Sequence, residues 1–314
     1  TIDADLTALY QDIPNAVWES SGHVTPHTFM AFGKANQRMD EEAVPPDERT
    51  VVLNPAGHWS MANALSGLYV QEAAGAALRK GFLGRIANCD VLMDQNIKAH
   101  TWGKFHDSGS TGSDMVKIAT TGVVLMTGLV YSGTANKTFE LYCLQTTANQ
   151  SHVFQVGDFF EIANVYAVNP MSGESTGVRR QFVVTADVSG GSKTEVTTGG
   201  SVTVTAYPPV VNTEPYKTVD TVPAGAATVY VYGTPGTQTP QNLAFHKNAF
   251  ALVMVPLQKP DGQWGSSVTE DGFSIRIVKD YNVNEDEEIV RLDILYGVKT
   301  IYPELAVRLV GAEV

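Results

Sequence analysis

Cysteine residues and long apolar runs are scarce in this chain. The 314 residues include only two cysteines, Cys89 and Cys143, which lie far apart and have no spacing typical of a metal site. We therefore expect both to be free, buried thiols in a reducing compartment. No stretch approaches the roughly 20 apolar residues of a membrane helix. The first residues also lack the basic patch and apolar run of a signal peptide, so no membrane association is predicted.

Basic side chains are few as well. The sequence contains 21 Lys and Arg against 33 Asp and Glu, which gives a formal net charge of -12. Affinity for phosphate comes mainly from Lys and Arg that displace counterions, so this composition argues against direct binding of nucleic acid. An acidic surface suits a different task beside DNA, which is to enclose it without adhering to it.

One run of alternate oxygen-bearing side chains resembles a calcium loop: Asp280, Asn282, Asn284 and Asp286. A calcium loop of the helix–loop–helix type needs glycine at its sixth position and glutamate at its twelfth. Counted from Asp280, those positions hold Glu285 and Arg291. Apolar residues alternate before and after the run with the period of a strand. The run therefore predicts two strands joined by a charged turn, without a metal.

The histidines do not form a metal motif. His23 and His27 have the spacing of a helical zinc pair, but Gly22 and Pro26 indicate a loop that enters a helix. The remaining candidates are placed in different predicted elements. They are His58, His100, His106 and His246. A lone histidine is more often packed or capped than catalytic, so we expect packed side chains.

The sequence also lacks a catalytic constellation. A glycine-rich run at 107–114 has no phosphate-binding lysine and follows no apolar strand, so it predicts a surface loop. The acidic run Asp40, Glu41 and Glu42 is typical of a solvated helix end. No nucleophile, base and acid come together. We therefore predict that the chain is not an enzyme and has no catalytic residues, metal site or cofactor.

The composition changes twice along the chain. Residues 1–125 are mixed and mostly helical, residues 126–240 are rich in Val, Thr, Tyr and Gly, and residues 241–314 return to the first style. Strands of the middle part are predicted at 152–165, 179–188, 201–208 and 227–233. Short strands separated by turns favour a small antiparallel barrel or sandwich. Linker-like flanks indicate that this part is a domain inserted into the first fold.

Helical patterns dominate the first part. Apolar residues at helical spacing predict a first helix that Pro14 ends, and they are Ile2, Leu6, Leu9 and Ile13. A second helix is predicted with Thr25 as its N-cap and Pro26 at its first position. Its common apolar side comprises Phe29, Phe32 and Met39. A short strand at 49–55 and a helix-rich stretch at 58–81 follow.

Five separated stretches, read together, resemble the major coat protein of short-tailed phages of the P22 group. They are 47–59, 81–103, 167–177, 241–257 and 288–311. The resemblance implies an α+β chain with the HK97-like capsid fold, which has peripheral and axial domains, and an inserted antiparallel β-barrel domain. By this resemblance, the implied parts are the end of the spine helix at 1–20, the first part of the capsid core at 21–125, the barrel at 126–240, and the second part of the core with the long peripheral strands at 241–314.

Two structural expectations follow from the resemblance. Family members carry an N-terminal arm, an extended loop and most of the spine helix upstream of the matching region. We therefore expect a chain that begins at Thr1 to give soluble subunits or irregular aggregates, and the longer chain to give closed shells. The first helix is expected to pack on the long strands near Ile275, Ile277, Leu292 and Ile294, which present an apolar face.

The implied function is that of a structural subunit. The resemblance implies a major capsid protein that self-assembles as hexamers and pentamers into an icosahedral shell around the double-stranded DNA of a tailed phage. It also implies scaffolding protein and portal as assembly partners, no sequence-specific contact with DNA, and assembly in the host bacterial cytoplasm before residence in the virion. A β-rich receptor-binding or adhesive surface protein is the alternative that the strands of the middle part leave open.

Overall fold

The structure of the chain is a computed structural model that divides into two compact units. Unit 1 comprises Thr1–Ala249 and Tyr302–Val314, and unit 2 comprises Phe250–Ile301. The residues that the structure describes are 2–18, 26, 28–66, 83–103, 105–106, 116–117, 136–143, 154–187, 200–213, 215–223, 229–233, 236–262 and 264–311.

Helices and strands are mixed, as predicted, and strands predominate. The α-helices are α1 Ile2–Thr7, α2 Phe29–Glu41 and α3 Pro55–Ser66, and short 3-10 helices cover Ala8–Asp12 and Pro303–Leu305. The strands of unit 1 are β1 Ala16–Trp18, β2 Arg49–Leu53, β3 Arg85–Ile86, β4 Cys89–Met93, β5 Ala99–Thr101, β6 Phe105–His106, β7 Val116–Lys117, β8 Asn136–Cys143, β9 Phe159–Val168, β10 Ser175–Val184, β11 Gly200–Val210, β12 Val229–Val231, β13 Gln238–Pro240, β14 Asn242–His246 and, after unit 2, β20 Ala306–Val310. The strands of unit 2 are β15 Phe250–Met254, β16 Trp264–Glu270, β17 Phe273–Asn282, β18 Glu287–Asp293 and β19 Tyr296–Thr300. No helix within these described ranges is long and apolar enough to cross a membrane.

The first helix lies where its apolar spacing places it. α1 tightens into the 3-10 helix at Ala8 and ends at Asp12. Ile13 is extended, with φ -88° and ψ 116°, because the following Pro14 disfavours the helical conformation of the residue before it. Ile13 is fully buried, so the last apolar position of the pattern anchors the segment.

The second helix begins later than predicted. Its N-cap is Thr28, which is extended at φ -123° and ψ 153°, so neither Thr25 nor Pro26 has the predicted role. An extended residue cannot lie inside a helix, so the helix begins after Thr28 and Pro26 precedes it.

The predicted apolar side of α2 is partly wrong. Phe32 and Met39 are buried as expected, but Phe29 is 45% exposed. The residues that α2 buries are Ala31, Phe32, Ala35, Arg38 and Met39. At about 100° per residue, Phe29 lies roughly 120° from the centre of this stripe.

Helix α2 packs against a six-stranded sheet in unit 1. The strand order of this sheet is β1-β20-β14-β2-β4-β3, with parallel pairs β1/β20 and β2/β4 and antiparallel pairs elsewhere. The predicted strand at 49–55 is confirmed as β2, whose side chains alternate between buried and half-buried positions. Residues of α2 and of the sheet share one apolar core, which includes Phe32, Met39, Leu53 and Leu309.

A five-stranded antiparallel sheet contains the middle strands. Its order is β12-β9-β10-β11-β8, and its four strands from β9 to β12 overlap the four predicted ranges. Its apolar core also includes Ala16, Trp102 and Val310, which lie outside residues 126–240. Among the described residues the sheet is open, with β12 and β8 as its edges.

Unit 2 consists of two antiparallel sheets. β15 pairs with β19, and β16, β17 and β18 form a three-stranded meander. The predicted strand–turn–strand is confirmed: β17 ends at Asn282, β18 begins at Glu287, and the acidic run turns between them. Of the residues named for the apolar face of the long strands, Ile275 is 41%, Ile294 44% and Leu292 68% exposed. The packing of the first helix on these strands stays a prediction.

Candidate interaction surface

The residues considered for chemistry remain dispersed. His23, His27 and 107–114 lie outside the described residues, as does the side chain of His106. His58, His100 and His246 are buried in α3, β5 and β14. Within the part of the chain that the structure describes, no three His, Cys, Asp or Glu side chains are grouped so that they could hold a metal ion.

His100 belongs to a buried polar network that the sequence did not indicate. Its Nδ1 lies 3.0 Å from the Tyr10 hydroxyl, and its Nε2 lies 2.7 Å from Oδ1 of Asp158. The Asp158 carboxylate also accepts hydrogen bonds from the backbone N–H groups of Gln155, at 2.8 Å, and Gly103. Burial raises the pKa of the Tyr10 hydroxyl. The network joins the N-terminal segment, β5 and the residue before β9, so its geometry serves packing.

Arg308 lies fully buried beside this network. Its Nη1 donates a hydrogen bond of 2.7 Å to the carbonyl of Gly157, and its guanidinium carbon lies 4.8 Å from the centre of the Phe159 ring. Burial lowers the pKa of Arg308 to about 10. Because Arg308 belongs to β20, this contact connects the six-stranded sheet to the start of β9 and the residues just before it.

The acidic end of α2 is not simply solvated, as the sequence had suggested. Glu42 is buried, and its Oε1 lies 2.7 Å from Nη1 of Arg180, which is also buried. Asp40 is exposed and accepts a hydrogen bond of 2.7 Å from Arg49, and Glu41 pairs with Arg38. The partner of Glu42 is 138 residues away in the chain, so only the tertiary fold shows that this carboxylate turns inward.

Cys89 is the one cysteine whose side chain the structure describes. It is free and buried, as predicted, and its Sγ lies 3.3 Å from Oδ1 of Asn36. Burial raises the pKa of this thiol, which disfavours the reactive thiolate.

The meander of unit 2 has two chemically different faces. In an antiparallel pair, residues directly opposite each other point to the same face. Ile277 lies opposite Leu292, Val268 lies opposite Ile275, and residues two apart along each strand share their face. We define the apolar face as Trp264, Val268, Phe273, Ile275, Ile277, Tyr281, Val290 and Leu292.

The apolar face is open to solvent over much of its area. Trp264 and Leu292 are each 68% exposed, and Val290 is 61% exposed. Lys279 lies within this face, opposite Trp264 and Val290, and it forms an ion pair of 2.7 Å with Glu288, which lies opposite Tyr281. This face is the candidate interaction surface.

The other face of the meander is polar. Arg276 pairs with Asp293, which also accepts a hydrogen bond from Arg291, and Arg276 donates to the carbonyl of Gln258 at 2.6 Å. The hydrogen bonds from Arg276, and then those from Arg291, lower the pKa of Asp293. Because this face is polar, water can solvate it, and only the opposite, apolar face favours packing against other apolar groups.

In the turn between β17 and β18, the side-chain oxygen atoms accept hydrogen bonds from donors within the same segment. Asn282 Nδ2 donates to Glu285 at 3.0 Å, the backbone N–H of Asn284 donates to the Asn282 side chain at 3.1 Å, and the Tyr281 hydroxyl donates to Asp286. These contacts fix the turn by hydrogen bonds among its own side chains.

A comparison with protein families gives one match that spans nearly the whole chain. The family described as "P22 coat protein - gene protein 5" matches residues 4–311. None of the curated proteins is significantly similar in sequence.

Solved structures give weaker similarities. A protein of Mycobacterium phage Che8 is 12% identical, with a TM-score of 0.36, over 98% of this chain and 57% of that chain. The I-domain of the CUS-3 coat protein is 20% identical, with a TM-score of 0.23, over 36% of this chain and 94% of that domain. The chain thus spans 57% of the length of the Che8 protein. TM-scores of this size do not show a shared fold, so the assignment rests on the family match.

Proposed function

The chain belongs to the P22 coat protein family, and we propose that it is a structural subunit of the icosahedral shell that encloses the double-stranded DNA of a tailed phage. The observation that carries the proposal is the family match over residues 4–311, which includes both compact units. The proposed role requires no catalyst. It requires surfaces that contact other copies of the chain.

The proposal includes the HK97-like fold and its division into domains. It assigns 1–20 to the end of the spine helix, 126–240 to an inserted β-barrel, and 21–125 and 241–314 to the capsid core. Two observations support this division. The strands of the five-stranded antiparallel sheet all lie between residues 136 and 231, and the six-stranded sheet draws its strands from both sides of that range.

The proposal also names partners and location. Copies of the chain form hexamers and pentamers, with scaffolding protein and portal as partners during assembly in the host cytoplasm, and the finished shell is part of the virion. The net charge of -12 supports a shell that encloses DNA without binding it. An acidic wall repels phosphate, so packaged DNA can slide along it.

Virions that carry this sequence test the proposal. Quantitative mass spectrometry of purified DNA-filled particles should show peptides from this chain as the most abundant protein, at hundreds of copies per particle. Antibodies against the chain should label the whole shell in electron micrographs. A few copies per particle, with label only at the tail, would instead support a receptor-binding protein and overturn the proposal.

A further inference from the structure

A cavity of about 250 Å³ lies between helix α2 and the strands β1, β9 and β10. Its whole lining belongs to unit 1. Lys34 and Gln37 of the lining are exposed, so solvent reaches the cavity along α2. Sites for drug-sized ligands measure roughly 300–1,000 Å³, and this cavity therefore suits a smaller molecule of about ten non-hydrogen atoms.

Arg38 contributes an unpaired edge of its guanidinium group to this cavity. The side chain is only 6% exposed, and its Nη1 lies 3.4 Å from Oε2 of Glu41. Among the described residues, its Nε and Nη2 have no hydrogen-bond partner. These two nitrogens lie on the same edge of the planar group, and such an edge binds both oxygens of a carboxylate in parallel. A buried donor without an acceptor is unfavourable, so the Nε–Nη2 edge favours a bound anion.

The acidic side chains of the lining do not occupy that edge, because they have other partners. Glu161 accepts a hydrogen bond of 3.0 Å from Gln181 and pairs with Arg179 at 3.7 Å. Glu41 accepts a hydrogen bond of 2.9 Å from Gln37. These contacts offset the negative charge of both carboxylates, so their repulsion of a bound anion is reduced.

Aromatic side chains form the apolar part of the lining. The ring centres of Trp18 and Tyr232 lie 5.8 Å apart, and Tyr232 stacks on Phe159 at 5.2 Å. Val17 and Val178 add aliphatic atoms to the same cavity. Walls of this composition favour a flat apolar group, and a few polar groups then fix its orientation.

We propose that this cavity binds a small aromatic carboxylate, whose carboxylate pairs with the Nε–Nη2 edge of Arg38 and whose ring packs against Trp18 and Tyr232. Lys34 precedes Arg38 by one helical turn and attracts the anion from the exposed rim. The small volume favours a free acid over a peptide, because peptides bind along grooves that receive several side chains. The inference does not rest on the proposed function.

Titration of the 314-residue chain with phenylacetate tests the inference, with saturation-transfer NMR as the measure of binding. Phenylacetate joins a phenyl ring to a carboxylate, and phenylacetamide is the matched probe of similar shape without the charge. The variant is Arg38→Gln. Its matched control is Arg85→Gln, because Arg85 belongs to β3, at the opposite edge of the six-stranded sheet from β1.

The unchanged chain and the Arg85→Gln control should bind phenylacetate with a dissociation constant on the order of 1 mM. Phenylacetamide should bind the unchanged chain at least about tenfold more weakly, because it lacks the charge-assisted pair of hydrogen bonds. Arg38→Gln should weaken the binding of phenylacetate by a similar factor. Lys34→Gln changes an exposed side chain and should weaken this binding about twofold.

Absence of saturable phenylacetate binding to the unchanged chain would overturn the inference. Equal affinity for the two probes would also overturn it, and this comparison needs no variant. Equal phenylacetate affinity of Arg38→Gln and Arg85→Gln would place the site elsewhere and overturn it as well. Circular dichroism checks that Arg38→Gln is folded; where it is not, the two probes and Lys34→Gln decide. Each of these outcomes leaves the virion test of the proposed function unaffected.

Discussion

Close packing at a single glycine shows how tightly the core of the five-stranded sheet is built. Gly233 has φ +103°, and a Cβ placed there would lie 2.1 Å from Cδ2 of Trp102, which is fully buried. Gly233→Ala should lower the free energy of unfolding by about 2–4 kcal/mol, because left-handed strain adds to overpacking. Urea denaturation followed by circular dichroism measures the change.

Gly236→Ala is the matched control for this prediction. Gly236 also has a positive φ, of +71°, but no atom lies within 4 Å of the added Cβ. Its substitution should cost only the backbone strain, about 1–2 kcal/mol. Equal losses at both positions would show that contact with Trp102 contributes nothing.

Asp293 gives unit 2 a pH-dependent element. Its pKa is lowered from 3.8 by the hydrogen bonds from Arg276. At pH values between this lowered pKa and 3.8, the unfolded chain therefore binds more protons than the folded chain. The stabilisation is therefore present above about pH 4 and is lost as the pH falls through the folded pKa. Asp293→Asn should destabilise the chain at pH 7 and have little further effect at pH 2, as measured by thermal unfolding. An equal effect at both pH values would contradict this.

At the scale of elements, the Arg180–Glu42 pair ties the end of α2 to β10. Both side chains are buried, so removal of one charge leaves the other without compensation. Glu42→Gln should cost about 3–5 kcal/mol in urea denaturation. Lys247→Ala is the control, because Lys247 pairs with Glu48 while both side chains remain 56% exposed, and such pairs contribute about 0–1 kcal/mol. A cost for Glu42→Gln below that of the control would refute this assignment.

The acidic turn between β17 and β18 should bind no calcium. Its side chains bond to one another, and Arg291 stands where a calcium loop has its last ligand. Calorimetric titration with calcium should show no saturable heat, both for the unchanged chain and for Asp286→Ala. Saturable heat that disappears in Asp286→Ala would contradict this prediction.

Local sequence patterns predict the helices and strands of this chain better than they predict which of these elements contact one another. The period of two along β17 and β18 and the helical spacing in α1 identify those elements, because the side chains follow the backbone geometry directly. The start of α2 is misplaced by three residues because Thr25 and Thr28 are equally good caps by residue type. Only the extended backbone of Thr28 distinguishes them.

The contacts of the buried network around His100 could not be predicted from the sequence, because they join residues that are far apart in the chain. Tyr10, His100 and Asp158 are separated by 90 and 58 residues, and no local pattern records which distant polar groups meet. The alternation in β17 does reveal an apolar face near Ile275 and Leu292. It does not reveal that the face is exposed, because exposure depends on which other elements pack there.

At the scale of the whole molecule, the five-stranded sheet shares its core with residues that precede and follow it in the chain. Ala16 and Val310 come from β1 and β20, and Trp102 follows β5. The Ala16 backbone N–H also donates a hydrogen bond of 2.7 Å to the Gln181 side chain. These contacts couple the stability of the middle part to that of the six-stranded sheet.

We predict that residues 126–240 fold alone but are less stable than the whole chain. Roughly 110 residues can support an independent core. The fragment loses the packing of Trp102, a loss of about 3–5 kcal/mol by comparison with deletion of a large core side chain. This loss does not exceed the lower end of the range of about 5–15 kcal/mol that is typical for the free energy of unfolding of a domain. The fragment should show β-type circular dichroism and one cooperative melt at a lower temperature than the chain.

Trp102→Ala in the whole chain is the matched measurement for this prediction, since it removes the same ring and leaves β1 and β20 in place. The fragment should be at least as destabilised as this variant, because it also loses Ala16 and Val310. A random-coil spectrum at room temperature would show that the sheet depends on its neighbours to fold. A fragment as stable as the whole chain would show that burial of Trp102 against Phe159, at a ring distance of 5.6 Å, does not contribute to the stability of the sheet.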